Sequence, residues 1–260
     1  MTGHLEATLR AGREGGRKLL VPYITGGLGP DWCEVLRAMA DAGADAIEIG
    51  IPFSDPVMDG PTIQEASARA LGRGTTPMTI LEDVSGIDAG VPLVAMTYGN
   101  LVHHAGRRRF AGELAAAGIC GAIIPDFPLE ESEEWEAAAA AEGVEAVLLV
   151  APVTPDDRLV RICERSRGFV YAVSRMGITG ERADVASSAG VIAKRTKAVT
   201  DKPVLVGFGI STPEQAVEAA AEADGVVVAS ALMRMLLDGG GPDDAAAFVS
   251  SFRAALDGSP

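Results

Sequence analysis

A carboxylate-bearing segment, AIEIGIPFSDPVMDGPTIQ at positions 46–64, is the part of the sequence best suited to chemistry. Alternation along an extended strand places Ala46, Glu48 and Gly50 on one face and two isoleucines on the other. If the isoleucines pack against covering helices, Glu48 points into the interior of a sheet, where an unpaired ionised carboxylate is destabilising. An ion pair with a Lys or Arg of another strand is the alternative, but no predicted strand offers an inward-facing cation. The pattern therefore favours an acid–base role for Glu48.

Two aspartates follow Glu48 in a loop bracketed by prolines. Asp55 and Asp59 have the positions at which aspartate commonly builds turns, and Gly60-Pro61 would fix the chain directly after Asp59. Two carboxylates from one strand and its loop can also serve separate acid and base functions. The spacing alone leaves both interpretations open.

Glycines after two later strands indicate a site for an anion. One apolar run continues into GFGIS at 207–211, and another into ASA at 229–231. Glycine lets backbone N–H groups approach an anion, and the positive end of a helix dipole favours its charge. A third segment, YAVSRMGITG at 171–180, contains Ser, Thr and Gly in a place where a loop can close over a ligand and exclude water, but the segment alone is not specific.

The elements that must hold these segments alternate regularly between short apolar runs and Ala-rich amphipathic stretches. Near-continuous apolar runs such as AVLLV and GVVVA are typical of parallel strands that are covered on both faces. The predicted strands are residues 19–24, 45–51, 92–97, 120–125, 145–150, 168–174, 203–208 and 225–230. Eight such units predict a closed (β/α)8 barrel, with an open doubly wound sheet as the alternative. In a barrel, catalytic groups lie at the C-terminal ends of the strands, and phosphate binds after strands 7 and 8.

Local signals predict where helices begin and end. A helix at 4–13 is expected to cover the barrel floor, and the last helix spans 245–256. Acidic residues are expected in the first turn of the helix between the fourth and fifth strands, at Glu130, Glu131, Glu133 and Glu134. Glycines are expected to close helices in the left-handed conformation at Gly43, Gly118, Gly143 and Gly225.

Composition limits the class of protein. A length of 260 residues, with 48% hydrophobic residues and no linker, predicts one domain over 1–260. The net charge of −14 argues against nucleic acid and anionic membranes as partners. Cys33, Cys120 and Cys163 lack paired spacing and predict reduced, buried thiols, and His103-His104 predicts an exposed loop and not a metal site. Without an apolar leader or a membrane-spanning run, the expected compartment is the cytoplasm.

Taken in order, the segments VPYIT, EIGIPFSDPVMDGPTIQ, MTYGN, IPDFPLEES, SRMGITG and GFGIS resemble the α subunit of tryptophan synthase. The resemblance covers residues 19–237, and the second segment is its most specific motif. It implies a carbon–carbon lyase that cleaves indole-3-glycerol phosphate to indole and glyceraldehyde 3-phosphate by a retro-aldol reaction, without a cofactor or metal in this chain.

The resemblance also implies roles for individual residues. Glu48 would transfer the protons, Asp59 would accept from the indole N–H, and Tyr171 would assist. Tyr23 would lie near the indole ring, and Thr179 would lie in the mobile loop that meets Asp59. The remaining substrate-binding positions, mainly around the phosphate, are Gly180, Gly207, Phe208, Gly209, Ala229 and Ser230.

A second protein is implied as well. The family's α chain pairs with a β subunit that carries pyridoxal phosphate, with an α2β2 heterotetramer expected, and Pro52, Asp55 and Pro56 would lie at the shared interface. This sequence departs from the family pattern at three places: its first loop reads TGGLGP, Met58 is bulkier than usual, and Ala229 replaces a glycine.

Three alternatives stay open at the level of sequence. A stand-alone indole-3-glycerol-phosphate lyase would release free indole without a β subunit. A phosphosugar isomerase on the same fold is disfavoured by the presence of both Glu48 and Asp59. A catalytically silent barrel, kept only as a structural or allosteric partner, is disfavoured by the intact carboxylate pair and phosphate glycines.

Overall fold

Eight runs of mainly Val, Leu, Ile and Ala form parallel strands that pair in chain order and close into a barrel. The computed structural model describes residues 3–173, 185–207 and 209–258. The strands are β1 (Leu19–Thr25), β2 (Ile47–Gly50), β3 (Leu93–Met96), β4 (Ile119–Ile123), β5 (Glu145–Val150), β6 (Val170–Val173), β7 (Val204–Gly207) and β8 (Gly225–Val228). Pairing of β1 with β8 closes the sheet, so the barrel prediction is confirmed and the open sheet was wrong.

Helices cover the outside of the barrel and supply its second layer. They are α1 (His4–Glu14), α2 (Trp32–Asp41), α3 (Pro61–Gly72), α4 (Pro77–Ser85), α5 (Gly99–Ala105), α6 (Arg107–Ala116), α7 (Glu133–Ala141), α8 (Asp156–Arg165), α9 (Val185–Lys197), α10 (Pro213–Ala220), α11 (Ser230–Leu237) and α12 (Pro242–Asp257). A continuous core of Leu, Ile, Val and Ala side chains fills the space between the strands and this layer.

Helix α1 confirms the predicted helix at 4–13 and closes the barrel floor. Leu5 and Leu9 are fully buried in the barrel interior, in one cluster with residues of several strands. The Glu145 carboxylate accepts the backbone N–H groups of Leu5 at 2.6 Å and Glu6 at 3.1 Å, which satisfies the open end of the helix. Because the floor is filled, a ligand can enter the barrel only from the C-terminal ends of the strands.

Most strands are shorter than predicted, and at the barrel floor two aspartate side chains take part in the pairing between strands. Asp45, predicted to begin a strand, accepts the Leu20 N–H with its carboxylate at 2.8 Å, and β2 begins two residues later. Asp224 accepts the Val204 N–H in the same way at 2.9 Å. The predicted strand ends at 174 and 208 lie outside the described residues.

The predicted helix signals were right at most positions and wrong at others. Positive φ at Gly43, Gly118 and Gly143 confirms the left-handed closures. Gly225 is instead the first residue of β8, and a side chain there would overlap the Leu19 backbone. Glu130 and Glu131 precede α7, and only Glu133 and Glu134 belong to its first turn.

Other expectations required smaller corrections. Helix α12 begins at Pro242, three residues before its prediction. His103 and His104 are exposed, but they end α5 and do not form a loop. All three cysteines are free thiols; Cys163 is buried, whereas Cys33 and Cys120 are partly exposed. Within the described ranges, no helix has the length and apolarity needed to cross a membrane.

Candidate active site

A cavity of about 400 Å³ opens at the C-terminal ends of the strands. Side chains from opposite sides of the barrel meet in it, although they are far apart in sequence. Of the residues predicted for the site, those lining the cavity are Tyr23, Glu48, Asp59, Tyr171, Gly209, Ala229 and Ser230. Apolar side chains, among them Ile63, Ile123, Leu149 and Val227, form much of the remaining wall.

Glu48 is the most deeply placed polar group of the cavity. It pairs across the sheet with Tyr23 on β1 and Val94 on β3, and only 1% of it is exposed. Its Oε2 atom has no hydrogen-bond partner, and no ion pair reaches it from any residue that the structure describes. Burial, together with the charge of Asp59, raises the pKa of Glu48 to about 8. The ion-pair alternative is therefore wrong for the described part of the chain, and Glu48 is a neutral acid at pH 7.

Asp59 lies where the loop after β2 turns into α3. The Asp59 N–H donates to the Pro56 carbonyl at 3.2 Å, and Gln64 Nε2 donates to the backbone carbonyl of Asp59 at 2.8 Å. These bonds build a turn, and they also direct the carboxylate into the cavity. Burial raises the pKa of Asp59 to about 6, although a hydrogen bond from Tyr98 opposes the rise. Near pH 7, Glu48 is therefore protonated and Asp59 is mostly ionised. The first can donate a proton, and the second can stabilise a positive charge.

Two tyrosines flank Glu48, and each lies against a glycine of the next strand. A methyl group at Gly50 would overlap the Tyr23 ring, and one at Gly207 would overlap the Tyr171 ring. Burial raises the pKa of both phenols, so both are neutral hydrogen-bonding groups. Gly207 thus lies against the Tyr171 ring and is not among the residues that line the cavity, and its phosphate contact stays a prediction.

The anion-binding end of the cavity is formed by α11 and the residues after β7. Helix α11 begins at Ser230, so its first backbone N–H groups have no acceptor within the helix. Helix α10 differs, because the Gln215 side chain accepts the N–H groups of Ser211 and Thr212 at 2.8 Å and 3.3 Å. The start of α11 therefore offers free N–H groups to an anion. Ala229 precedes it with φ −121°, a negative angle that does not require glycine.

The loop after β2 has an outward face as well as a catalytic one. Asp55 is exposed, Pro56 is partly exposed, and Val57 between them and Asp59 is 72% exposed. Pro52, at the beginning of the same loop, is buried. Gly26, at the start of the unusual first loop, donates its N–H to the Gly50 carbonyl at 2.9 Å and so extends the β1–β2 pairing.

Tyr98 is a site residue that the sequence did not identify. It follows β3, is 3% exposed, and its hydroxyl interacts with the residues around Asp59. The only available signal was an aromatic residue directly after a strand, in MTYGN. Thr179, Gly180 and Phe208 lie outside the described residues. In the part of the chain described, His, Cys, Asp and Glu side chains form no cluster that could hold a metal.

The family model for the tryptophan synthase alpha chain matches residues 9–252. The chain is 47% identical to the tryptophan synthase alpha chain of Gloeobacter violaceus, over 88% of this chain and 84% of that one. It is 44% identical to that of Thermobifida fusca, over 97% and 96% of the two chains. Among solved structures, it superposes on Mycobacterium tuberculosis tryptophan synthase with a TM-score of 0.90 at 39% identity, covering 98% of this chain and 99% of that one. Matches of this identity and coverage place the chain in the tryptophan synthase alpha chain family.

Proposed function

We propose that this cavity cleaves indole-3-glycerol phosphate to indole and glyceraldehyde 3-phosphate, the α reaction of tryptophan synthase in tryptophan biosynthesis. The observation that carries the proposal is the unpaired, buried Glu48 facing the same cavity as Asp59. The volume of about 400 Å³ is in the range of small-ligand pockets. Its apolar wall suits an indole ring, and the start of α11 suits a phosphate.

Glu48 supplies the proton that the retro-aldol reaction needs first. Protonation at indole C3 converts the ring to an indolenine, which can accept the electron pair of the breaking carbon–carbon bond. The raised pKa keeps Glu48 protonated at neutral pH and so able to donate. The resulting carboxylate then takes the proton of the glycerol hydroxyl, which becomes the aldehyde. One carboxyl thus performs both transfers and returns to its starting state.

Asp59 provides the negative charge that this sequence of steps requires. Its pKa of about 6 leaves it mostly ionised at pH 7. As an anion it accepts a hydrogen bond from the indole N–H and stabilises the positive charge that develops after protonation at C3. The neutral phenol of Tyr171 assists at the reacting carbon, and Tyr23 forms the wall beside the ring.

The phosphate group is assigned to the opposite end of the cavity. Backbone N–H groups at the start of α11, with Gly209 and Ser230 beside them, would hold it. The contacts of Gly180, Phe208 and the Thr179 loop with substrate remain predictions, as does a phosphate contact by Gly207. The proposed unit of function is the whole chain, 1–260, as one barrel domain.

A β subunit carrying pyridoxal phosphate is the proposed partner, in an α2β2 assembly in the cytoplasm. Indole is small and apolar, which favours passing it directly to a second active site. The exposed residues Asp55, Pro56 and Val57 belong to the loop that carries Asp59, so docking there can change the geometry of Asp59. Three free thiols fit a reducing compartment.

Turnover of indole-3-glycerol phosphate, measured with and without a titrated β subunit, tests this function. The expected result is slow release of indole by the isolated chain and a faster reaction with the partner. The absence of any turnover under both conditions would contradict the lyase assignment. Fast turnover by the chain alone, with no binding of the β subunit, would establish the stand-alone lyase in place of the subunit.

The anion site makes a separate prediction. Glycerol phosphates should inhibit competitively, because their phosphate would occupy the start of α11, and glycerol should not inhibit. Replacing Ala229 by glycine removes a methyl group beside this site and should leave the inhibition constant unchanged or lower it. Inhibition constants for both ligands, measured on the wild type and A229G, check the assignment. Equal inhibition by glycerol and glycerol phosphate would refute it.

A further inference from the structure

Tyr98 contacts three residues of the loop after β2, namely Phe53, Met58 and Asp59. Its ring stacks on Phe53, with ring centroids 5.3 Å apart and planes inclined by 30°. Its hydroxyl oxygen accepts the Met58 N–H at 3.1 Å. The same hydroxyl interacts with the Asp59 carboxylate, and this interaction opposes the rise in the pKa of Asp59 that burial causes. One side chain, two residues after the end of β3, therefore contacts the beginning and the end of the loop that carries Asp59.

The direction of these hydrogen bonds follows from the donors available. A backbone N–H can only donate, so the bond from Met58 occupies a lone pair of the Tyr98 oxygen. The phenol stays neutral because burial and the charge of Asp59 raise its pKa. Its proton is therefore free to be donated to the Asp59 carboxylate.

The backbone of Tyr98 is itself held firmly. Tyr98 occupies the residue before α5, and the next residue, Gly99, donates its N–H to Asp126 Oδ1 at 2.8 Å. The Phe127 ring packs so closely on Gly99 that a side chain there would overlap it. These contacts fix the backbone beside Tyr98 to the loop after β4. The Tyr98 hydroxyl is therefore held in a fixed position beside the loop after β2.

We propose that Tyr98 is a positioning residue that holds the Asp59 carboxylate, ionised and correctly placed, against the indole N–H. This inference rests on the proposed function, since it assigns Asp59 its role there. Tyr98 acts through Asp59 and the Met58 backbone.

The other titratable groups that act on Asp59 come from different elements. Glu48 on β2, Tyr23 on β1 and Tyr171 on β6 all interact electrostatically with its carboxylate. Each of them is neutral near pH 7, since burial raises the pKa of each. Tyr98 is the group whose hydrogen bond favours the ionised form of Asp59. Removing that hydroxyl should therefore shift Asp59 toward protonation.

Tyr98→Phe removes the hydroxyl and keeps the ring on Phe53. We expect kcat to fall about 10-fold or more, with KM changed less, because the lost hydrogen bond supports a charge needed in the transition state. The acidic limb of the pH profile of kcat/KM should move to higher pH. The ionisation of Asp59, followed by carboxyl carbon NMR in the substrate-free protein, should move in the same direction.

Phe53→Leu is the matched control, since it removes the stacking and leaves the hydroxyl. It should lower the melting temperature without moving the ionisation of Asp59. The proposal is overturned if Y98F leaves the Asp59 titration unmoved, whether or not kcat falls, because Tyr98 would then be merely structural. The NMR titration needs no substrate, so it still decides this point if the wild-type protein fails to cleave indole-3-glycerol phosphate.

Discussion

Replacing Glu48 by glutamine is expected to lower the turnover of indole-3-glycerol phosphate by at least ~10²-fold, the lower range for one general acid–base group. Glutamine has nearly the same shape but neither donates a proton to indole C3 nor accepts one from the glycerol hydroxyl. Steady-state kinetics of E48Q with saturating substrate measures the loss. A near-normal rate in a folded E48Q protein would show that another group transfers these protons.

The same substitution should not destabilise the protein at neutral pH. The pKa of Glu48 is about 8 in the folded state against its ordinary value of 4.5. Between these values the unfolded chain has released the proton while the folded chain keeps it, so the stability of the wild type falls as pH rises through this window. Glutamine does not titrate, and the melting temperature of E48Q at pH 7 is therefore expected to equal or exceed that of the wild type.

Glu145→Gln is the matched control for E48Q. Glu145 is also a buried strand glutamate, but it lies at the barrel floor, where it holds the first N–H groups of α1. E145Q should retain the catalytic rate and lose stability, the reverse of the pattern expected for E48Q.

Replacing Asp59 by asparagine is expected to lower kcat by roughly 10²-fold, the scale seen when one preorganised electrostatic contact is removed. The amide can still accept from the indole N–H, but it has no negative charge to stabilise the protonated ring. Asp88→Asn is the control, because Asp88 is exposed and accepts the Gly90 N–H in the turn before β3. D88N should keep the wild-type rate, and a D59N enzyme of equal activity would contradict the role assigned to Asp59.

The pH profile separates the two carboxyls. Asp59 must be ionised and Glu48 protonated, so kcat/KM of the wild type should fall below a pH of about 6 and above a pH of about 8. In D59N the acidic limb should disappear. The basic limb should move to lower pH, because the charge of Asp59 contributes to the raised pKa of Glu48. A profile of D59N that retains its acidic limb would assign that limb to another group.

The architecture could be predicted from the sequence because it depends on local patterns. Eight apolar runs separated by amphipathic segments specify parallel strands covered by helices, and the pairing of β1 with β8 closes them. Period-two alternation in β2 was enough to direct Glu48 inward. The helix over the floor could also be predicted, since its apolar residues recur at helical spacing.

What only the tertiary structure decided depends on groups that are distant in sequence. Gly225 has the sequence context of the helix-closing glycines, but the Leu19 backbone packs against it, so its role is close approach and not a left-handed turn. Gly207 lies against the Tyr171 ring, a close approach that the sequence of the glycine-containing segment did not indicate. Ser211, the last residue of the predicted anion-binding segment 207–211, donates its N–H to the Gln215 side chain.

The same distinction applies to the chemistry of the two carboxyls. The sequence identified Glu48 and Asp59 as residue types, but their protonation depends on how deeply each is buried and which charges lie near it. Tyr98, which comes 39 residues after Asp59 along the chain, became part of the site only because β3 lies beside β2 in the barrel. Side-chain type and local direction are properties of the sequence, whereas desolvation and charge–charge interaction are summed over neighbours that only the closed barrel brings together.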